Sequence, residues 1–225
     1  MDRSVDLPAV EGGSRRTAVG GTLRGGKRLG ALPWRVGERV MNRAKMEQGI
    51  RLFLDGLLEG HEVDTDLVES APGRVAEAWV EDLAAGYGED PRSFLEPIRL
   101  DRARGPVVLR GIRFTSLCAH HLLPFRGEAS VGFLPRDAHV GLGGIARMVD
   151  SLARRLCLQE ALTVEIADHL EQALDPEAVV VLVEAEHLCL SVRGARKTGH
   201  RFRTLERRGT RCAELDTLLH SGPGV

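Results

Sequence analysis

The chain has 225 residues, of which 43% are hydrophobic, so it can bury one substantial core and is expected to form one domain with extensions. Its formal net charge of -1 argues against a dedicated nucleic-acid-binding protein, because contacts to phosphates require a basic excess. No apolar run is long enough to span a bilayer and no secretory signal is recognisable, so no membrane partner is expected and the cytoplasm is the predicted location. In that compartment the four cysteines are expected to be reduced thiols or metal ligands.

The N-terminal part of the chain divides into a tail and a helical region. Residues 1–45 are rich in Gly and Arg and lack a sustained apolar period, which predicts a disordered basic tail. Residues 46–100 are predicted to be helical. The first helix has an apolar face formed by Met46, Ile50, Phe53, Leu54 and Leu57. The second helix is expected to bury a stripe of Val75, Trp79 and Leu83.

The remaining segment, residues 101–220, alternates between strand and helix patterns. Two strands are predicted first, at residues 105–118 and 127–135. A helical pair follows at residues 143–176, and two further strands at residues 178–194 and 200–209. The helical pair is expected to break near Gln159 to Thr163, and a short helix to follow the last strand. Paired strands around a helical pair predict the α+β class, an antiparallel sheet with helices on one face.

The stretch "SLCAHHLLPF" at residues 116–125 contains a possible metal site. Cys118 and His121 have the C-x-x-H spacing with which one turn of chain can present two ligands to zinc. Cys189 is the natural third ligand, and a set of two thiolates and one imidazole suits Zn2+ better than magnesium or calcium. Three protein ligands leave a position open for water, as in catalytic zinc sites. The alternatives are that the C-x-x-H spacing occurs by chance and that Cys189 is a small buried hydrophobic residue. Cys157 and Cys212 are interpreted as small buried residues of that kind.

A polar face is predicted on the strand that contains Cys189. In "EHLCLSVR", alternation places aliphatic side chains on one face and a polar set on the other, namely His187, Cys189, Ser191 and Arg193. A histidine, a cysteine and an arginine on one face indicate a site built on the sheet.

Four blocks of sequence resemble the GTP cyclohydrolase I family. They are, in the family's order, "GRVAEAWVEDLAAGYG", "SLCAHHLLPFRGEASVGFLP", "VGLGGIARMVDSLARRLCLQEALT" and "VVVLVEAEHLCLSVRG". The resemblance runs from about residue 46 to the C-terminal helix. It implies a tunnelling fold for residues 101–220, in which strand pairs and helices of several subunits close a barrel. It also implies a homo-oligomer, typically a decamer, with active sites between subunits.

The resemblance further implies zinc-dependent opening of the guanine imidazole ring of GTP, release of formate and formation of 7,8-dihydroneopterin triphosphate. By position in the motifs, the zinc ligands are Cys118, His121 and Cys189, and the proton-transfer histidines are His120 and His187. The pair that reads the guanine edge is Gln159 and Glu160. The triphosphate-binding arginines are Arg147 and Arg193.

The chain departs from the family pattern beside the metal turn and at the phosphate and ribose end of the site. Ala119 stands where the family has glutamate, Gly143 and Gly144 replace serine and lysine, and His200 lies where serine is usual. Loss of the lysine removes a charge-assisted contact.

Three functions therefore stay open. In the first, the triphosphate is held by Arg147, Arg193, Lys197 and Arg196, and the full reaction proceeds. In the second, an enzyme acting on GTP or a related guanine compound stops at a formamidopyrimidine or ribosylaminopyrimidine product. In the third, the chain is a non-catalytic zinc-binding paralogue, against which the presence of both His120 and His187 argues.

Overall fold

The computed structural model describes residues 41–102 and 105–220. Its helices are α1 (Arg43–Leu58), α2 (Thr65–Ala78), α3 (Leu142–Ala153), α4 (Gln159–Leu174), α5 (Leu188–Ser191) and α6 (Ala213–His220). Its strands are β1 (Ile98–Arg99), β2 (Val107–Cys118), β3 (Pro124–Leu134), β4 (Ala138–His139), β5 (Leu156–Cys157), β6 (Ala178–His187) and β7 (Phe202–Gly209). A π-helical turn and two 3-10 turns follow α2, at Trp79–Leu83, Ala85–Gly88 and Pro91–Phe94. Within the described ranges, no helix has the length and apolar character needed to cross a membrane.

A five-stranded sheet in the order β5-β2-β3-β6-β7 forms the centre of the fold. All neighbouring pairs are antiparallel except β2 and β5. Helices α3 and α4 cover one face, where Val179, Val181 and Val183 of β6 join their buried side chains in the main core. The predicted α+β class and the order of strand pairs around a helical pair are confirmed.

The short C-terminal helix α6, which the one-face prediction for the helical pair does not cover, packs on the other face of the sheet. Leu215 and Leu219 of α6 pack against Ala178 and Val180 of β6, on the face opposite the main core. Gly132 makes room there, since a Cβ at this position would lie 2.7 Å from a methyl carbon of Leu215. The apolar run of β6 is continuous because both of its faces are buried.

The N-terminal helices differ in detail from the predicted pattern. Helix α1 begins at Arg43, inside the predicted tail, and the rest of that tail prediction falls on residues 1–40, which lie outside the described residues. The apolar face of α1 is not buried in this chain, and Phe53 is 67% exposed. In α2 the buried residues include Pro72 and Ala76, whereas Val75 is 38% exposed.

The break in the helical pair comes earlier than predicted. Helix α3 ends at Ala153 and α4 begins at Gln159, so the break spans residues 154–158. The short strand β5 in this break pairs in parallel with the end of β2. Leu156 pairs with the sheet there and is 37% exposed.

Strand β6 ends at His187, which contradicts the predicted long strand. On one side, the last residue of β6 that pairs with β7 is Ala185. On the other side, the last pair with β3 joins His187 to Phe125, the second residue of β3. Beyond this level no strand is present on either side to satisfy backbone groups, so the chain forms the helical turn α5 instead. The alternation of His187, Cys189, Ser191 and Arg193 on one strand face is therefore wrong.

The start of α3 is closely packed against the turn at Pro91–Phe94. A Cβ on Gly144 would lie 2.3 Å from the carbonyl oxygen of Phe94, whereas a Cβ on Gly143 would meet no atom within 4 Å. The guanidinium of Arg147 lies over the Phe94 ring, 5.6 Å from its centroid. A lysine at position 144 would require this turn to move away from α3.

We expect Gly144→Ala to lower the free energy of unfolding by about 1–3 kcal/mol, because the added methyl group overpacks a backbone contact. The matched variant Gly143→Ala should be neutral or stabilising by up to about 1 kcal/mol, because its Cβ is unobstructed and alanine favours a helix. Urea unfolding of both variants at one protein concentration checks this. Equal stabilities would mean that Phe94 moves aside freely.

Candidate active site

A cavity of about 410 Å³ opens where the β2–β3 turn, the start of α4 and the end of β6 meet. The thiol, imidazole and carboxylate side chains that line it are those of Cys118, His120, His121, Cys157, Glu160, His187, Cys189 and His200. These residues come from four separate segments of the chain. The cavity therefore brings together most of the residues that the motifs predict for metal binding, proton transfer and base recognition.

The C-x-x-H turn is held by its own backbone. The carbonyl of Cys118 accepts from the N–H groups of His121 and Leu122 at 3.2 and 2.8 Å, and the Cys118 N–H donates to Leu123 at 2.9 Å. Leu122 adopts a left-handed backbone conformation, with φ at 56°, which allows the chain to enter β3 directly. This closed turn points Cys118 and His121 toward the same space.

The ligand atoms of Cys118, His121 and Cys189 all lie within 4.8 Å of one another. Cys118 Sγ and His121 Nδ1 are 3.7 Å apart. Tetrahedral zinc with bonds of about 2.0–2.3 Å places its ligand atoms roughly 3.6 Å from each other. The separation of Cys118 Sγ and His121 Nδ1 matches this value, and a donor set of two sulfurs and one imidazole nitrogen suits zinc.

Cys189 reaches this cluster from α5. It is the second residue of the helical turn that begins after His187, so the turn, and not a strand face, directs its side chain to Cys118. Burial and the neighbouring Cys118 raise the pKa of the Cys189 thiol. Cys189 therefore lies in the cluster as predicted. It does so because of the helical turn, and not because of alternation along a strand.

Two contacts fix the ring of His187. Its ring stacks on Phe125 with centroids 4.5 Å apart and planes 2° from parallel. Its Nε2 is 2.9 Å from Gln159 Oε1. The amide nitrogen of Gln159 already donates to Val183 O and Phe202 O, so Oε1 is the acceptor and His187 carries its proton on Nε2. The Nδ1 lone pair remains available.

Electrostatics keep His187 in its neutral form. Burial lowers the pKa of the His187 imidazole, and His200 nearby lowers it further. A neutral ring with a proton on Nε2 is a base at Nδ1.

Gln159 does not present a free polar group to the cavity. Its side chain is fully buried, its nitrogen lies within 3.1 Å of Val183 O, Phe202 O and Thr204 Oγ1, and its oxygen faces His187. The hydrogen-bonding capacity of this side chain is therefore used within the chain, and its implied role in reading a guanine edge stays a prediction. The adjacent Glu160 is exposed and lines the cavity.

The predicted phosphate-binding side chains lie outside the lining of this cavity. Arg147 lines a separate cavity of about 440 Å³ beside Phe94, and its Nε donates to Gly143 O at 3.3 Å. Arg193 and Lys197 are exposed on the loop between α5 and β7. His120 is exposed at the metal turn, with its ring 6.0 Å from that of His121.

Two residues near the cluster were not predicted to belong to the site. Cys157 of β5 is the register partner of Cys118, and its Sγ lies 3.1 Å from Ser116 Oγ. Burial raises its pKa to about 11, so it is a neutral thiol at pH 7. His200 was noted only as a departure from the family, yet it contacts the backbone of His187. Neither contact has a sequence signal, because each joins segments distant along the chain.

Comparison with known proteins gives one family. The family model described as GTP cyclohydrolase I matches residues 46–218. A GTP cyclohydrolase 1 of Desulforamulus reducens is 42% identical over 166 residues, which cover 73% of this chain and 87% of that protein. The GTP cyclohydrolase 1 of Geobacillus kaustophilus is 39% identical, over 75% of this chain and 89% of that protein. For the GTP cyclohydrolase 1 of Bacillus subtilis the identity is 38%, over 76% and 89% respectively.

Among solved structures, the apo form of an archaeosine synthase QueF-Like covers 49% of this chain and 100% of that chain, at 24% identity. The TM-score of 0.42 is too low for that likeness to support an argument. The family predicted from the four sequence blocks is confirmed by the family model and the relatives. The chain belongs to the GTP cyclohydrolase I family and is a hydrolase of that type.

Proposed function

We propose that this chain hydrolyses the guanine imidazole ring of GTP in a zinc-dependent reaction that releases formate and leads to 7,8-dihydroneopterin triphosphate. The observation that carries the proposal is the convergence of the Cys118, His121 and Cys189 ligand atoms within 4.8 Å, in a cavity also lined by His120, His187 and Glu160. The relatives named GTP cyclohydrolase 1 support the same activity.

Zinc held by the three ligands would act as a Lewis acid and lower the pKa of a coordinated water toward neutrality. The protein supplies the proton transfers. His187 receives a proton at Nδ1, while Gln159 keeps Nε2 protonated and Phe125 holds the plane of the ring. His120, exposed on the turn that carries two of the ligands, is the second proton-transfer group.

Glu160 is proposed to read the guanine base. It lies in the first turn of α4 and lines the cavity. A carboxylate can accept hydrogen bonds from the ring N–H and the exocyclic amino group of guanine together. Because Gln159 is occupied within the chain, Glu160 alone is assigned this role.

The site is proposed to be completed by a second subunit of a tunnelling-fold homo-oligomer, with residues 101–220 as the catalytic domain behind the helices at 46–100. In one chain, Arg147, Arg193 and Lys197 do not line the cavity, and Arg201 is the one arginine or lysine among its lining residues in the described part of the chain, so a triphosphate bound there needs further basic groups. The rim also exposes the apolar side chains Leu158 and Phe202. Contact with another subunit would cover these and bring basic side chains to the substrate.

A second product is favoured by the packing at α3. The carbonyl of Phe94 fills the space next to Gly144, where the family carries a lysine, and Arg147 lies over the Phe94 ring. The groups that define the metal, the proton transfers and base reading are present, whereas the altered ones belong to the phosphate and ribose end. An enzyme of this kind could open the ring and stop at a formamidopyrimidine or ribosylaminopyrimidine nucleotide.

Incubation of the zinc-loaded protein with GTP distinguishes these products. We expect one formate for each dihydroneopterin triphosphate, measured by formate assay and mass spectrometry on the same sample. A product that keeps the formyl group, or formate with an uncyclised pyrimidine, would identify the truncated reaction. Absence of turnover with GTP and with other guanine nucleotides would refute both.

We expect Cys189→Ser to lose both bound zinc and turnover, because a hydroxyl is a far weaker zinc ligand than a thiolate. The matched control is Cys212→Ser, since Cys212 packs beside α6 away from the cluster. Zinc per chain, measured by plasma mass spectrometry after dialysis, should fall from about one to near zero in the first variant only. Full zinc occupancy in Cys189→Ser would remove this residue from the ligand set.

We expect Glu160→Gln to raise KM for GTP by at least about tenfold, because an amide cannot accept from both donors of the guanine edge. The KM for inosine triphosphate, which lacks the exocyclic amino group, should rise less than the KM for GTP. The preference of the enzyme for GTP over inosine triphosphate should therefore shrink. Glu177→Gln, an exposed carboxylate outside the cavity, is the control. An unchanged preference for GTP would show that the base is read by other residues.

A further inference from the structure

We propose that His200 is a positioning residue that fixes the junction between β6 and α5, and through it both the catalytic ring of His187 and the ligand Cys189. The inference rests on the proposed function for the roles of these two residues. The contact itself is a hydrogen bond between the backbone of one segment and the side chain of another. His187 N–H donates to His200 Nε2 at 3.1 Å.

This hydrogen bond lies just beyond the last backbone pair between β6 and β7. Strand β7 starts at Phe202, which pairs with Ala185, so no backbone carbonyl of β7 faces His187. The chain has already turned away at Gly199, where φ is 72°. The imidazole of His200 takes the place of the missing carbonyl and satisfies a half-buried N–H group.

Both nitrogens of His200 are engaged. Its Nδ1 lies 2.8 Å from the carbonyl oxygen of Lys197, so Nδ1 carries the proton and donates, and Nε2 accepts. Transfer of a proton by either nitrogen would break one of these bonds. His200 therefore holds its neighbours in place and is not a proton carrier, although it lines the cavity.

Other bonds tie the same loop to the same junction. Glu186 Oε1 accepts from Ser191 Oγ at 3.0 Å and from Gly199 N–H at 3.3 Å. Lys197 N–H donates to Leu190 O at 3.1 Å. These hydrogen bonds hold the loop between α5 and β7 against the helical turn that carries Cys189. Among the described contacts of this loop, the one to the backbone of His187 comes from His200.

Two substitutions separate the two bonds of His200. His200→Gln places an acceptor near the position of Nε2, and can keep the bond to His187 N–H. His200→Asn places a donor near the position of Nδ1, and can keep only the bond to Lys197 O. His61→Asn, an exposed histidine outside the cavity, is the control.

The first readout is amide hydrogen exchange of the segment from Val183 to Leu190, followed by mass spectrometry on the full-length protein. We expect exchange at His187 to become about tenfold faster in His200→Asn and to stay within about twofold in His200→Gln. This readout needs neither metal nor substrate. Equal exchange in the two variants, or no change in His200→Asn, would overturn the proposal.

The second readout is the visible spectrum of the cobalt-loaded protein together with kcat and KM for GTP. His200→Asn should change the thiolate-to-cobalt absorption and lower kcat about tenfold with KM within about twofold, because Cys189 and His187 lose their fixed positions. His200→Gln should recover most of both. If the parent protein does not turn over GTP, the proposed function fails, while the exchange contrast still decides the role of His200.

Discussion

The site depends on where strand β6 loses its partners. Strand β7 pairs only to Ala185 and β3 only to His187, so the backbone beyond that level has to satisfy its own hydrogen bonds. It does so with the helical turn α5, and this turn brings Cys189 within 4.8 Å of the ligand atoms of Cys118 and His121. A strand that continued would have carried Cys189 along the sheet instead. The backbone hydrogen bonds at the end of β6 thereby determine the position of a proposed metal ligand.

A buried amide connects the fold to the chemistry. Gln159 begins α4, donates to backbone carbonyls of β6 and β7, and accepts from the ring of His187. An unsatisfied polar group at a fully buried position would be costly, so these contacts fix the amide orientation and with it the tautomer of His187. The same side chain that joins helix and sheet therefore leaves Nδ1 of His187 as the basic atom.

The start of α3, the proposed phosphate and ribose end of the site, shows how packing limits the side chains that could contact a substrate. Phe94 O approaches α3 so closely that only glycine fits at position 144, and Arg147 covers the Phe94 ring. A side chain at 144 that contacts a substrate is incompatible with this arrangement. The departure from the family pattern is thus coupled to the position of the turn at Pro91–Phe94, and not confined to one residue.

The sequence by itself determined the family, the α+β class and the Cys118, His121 and Cys189 set, because these depend on the spacing within motifs and on the order of the motifs along the chain. It misplaced the end of β6 and the helix break, because both depend on which strands are neighbours. The neutral tautomer of His187, the internal use of Gln159 and the contact of His200 were decided only by tertiary structure. They are hydrogen bonds between segments far apart in sequence, and residue spacing carries no information about such bonds.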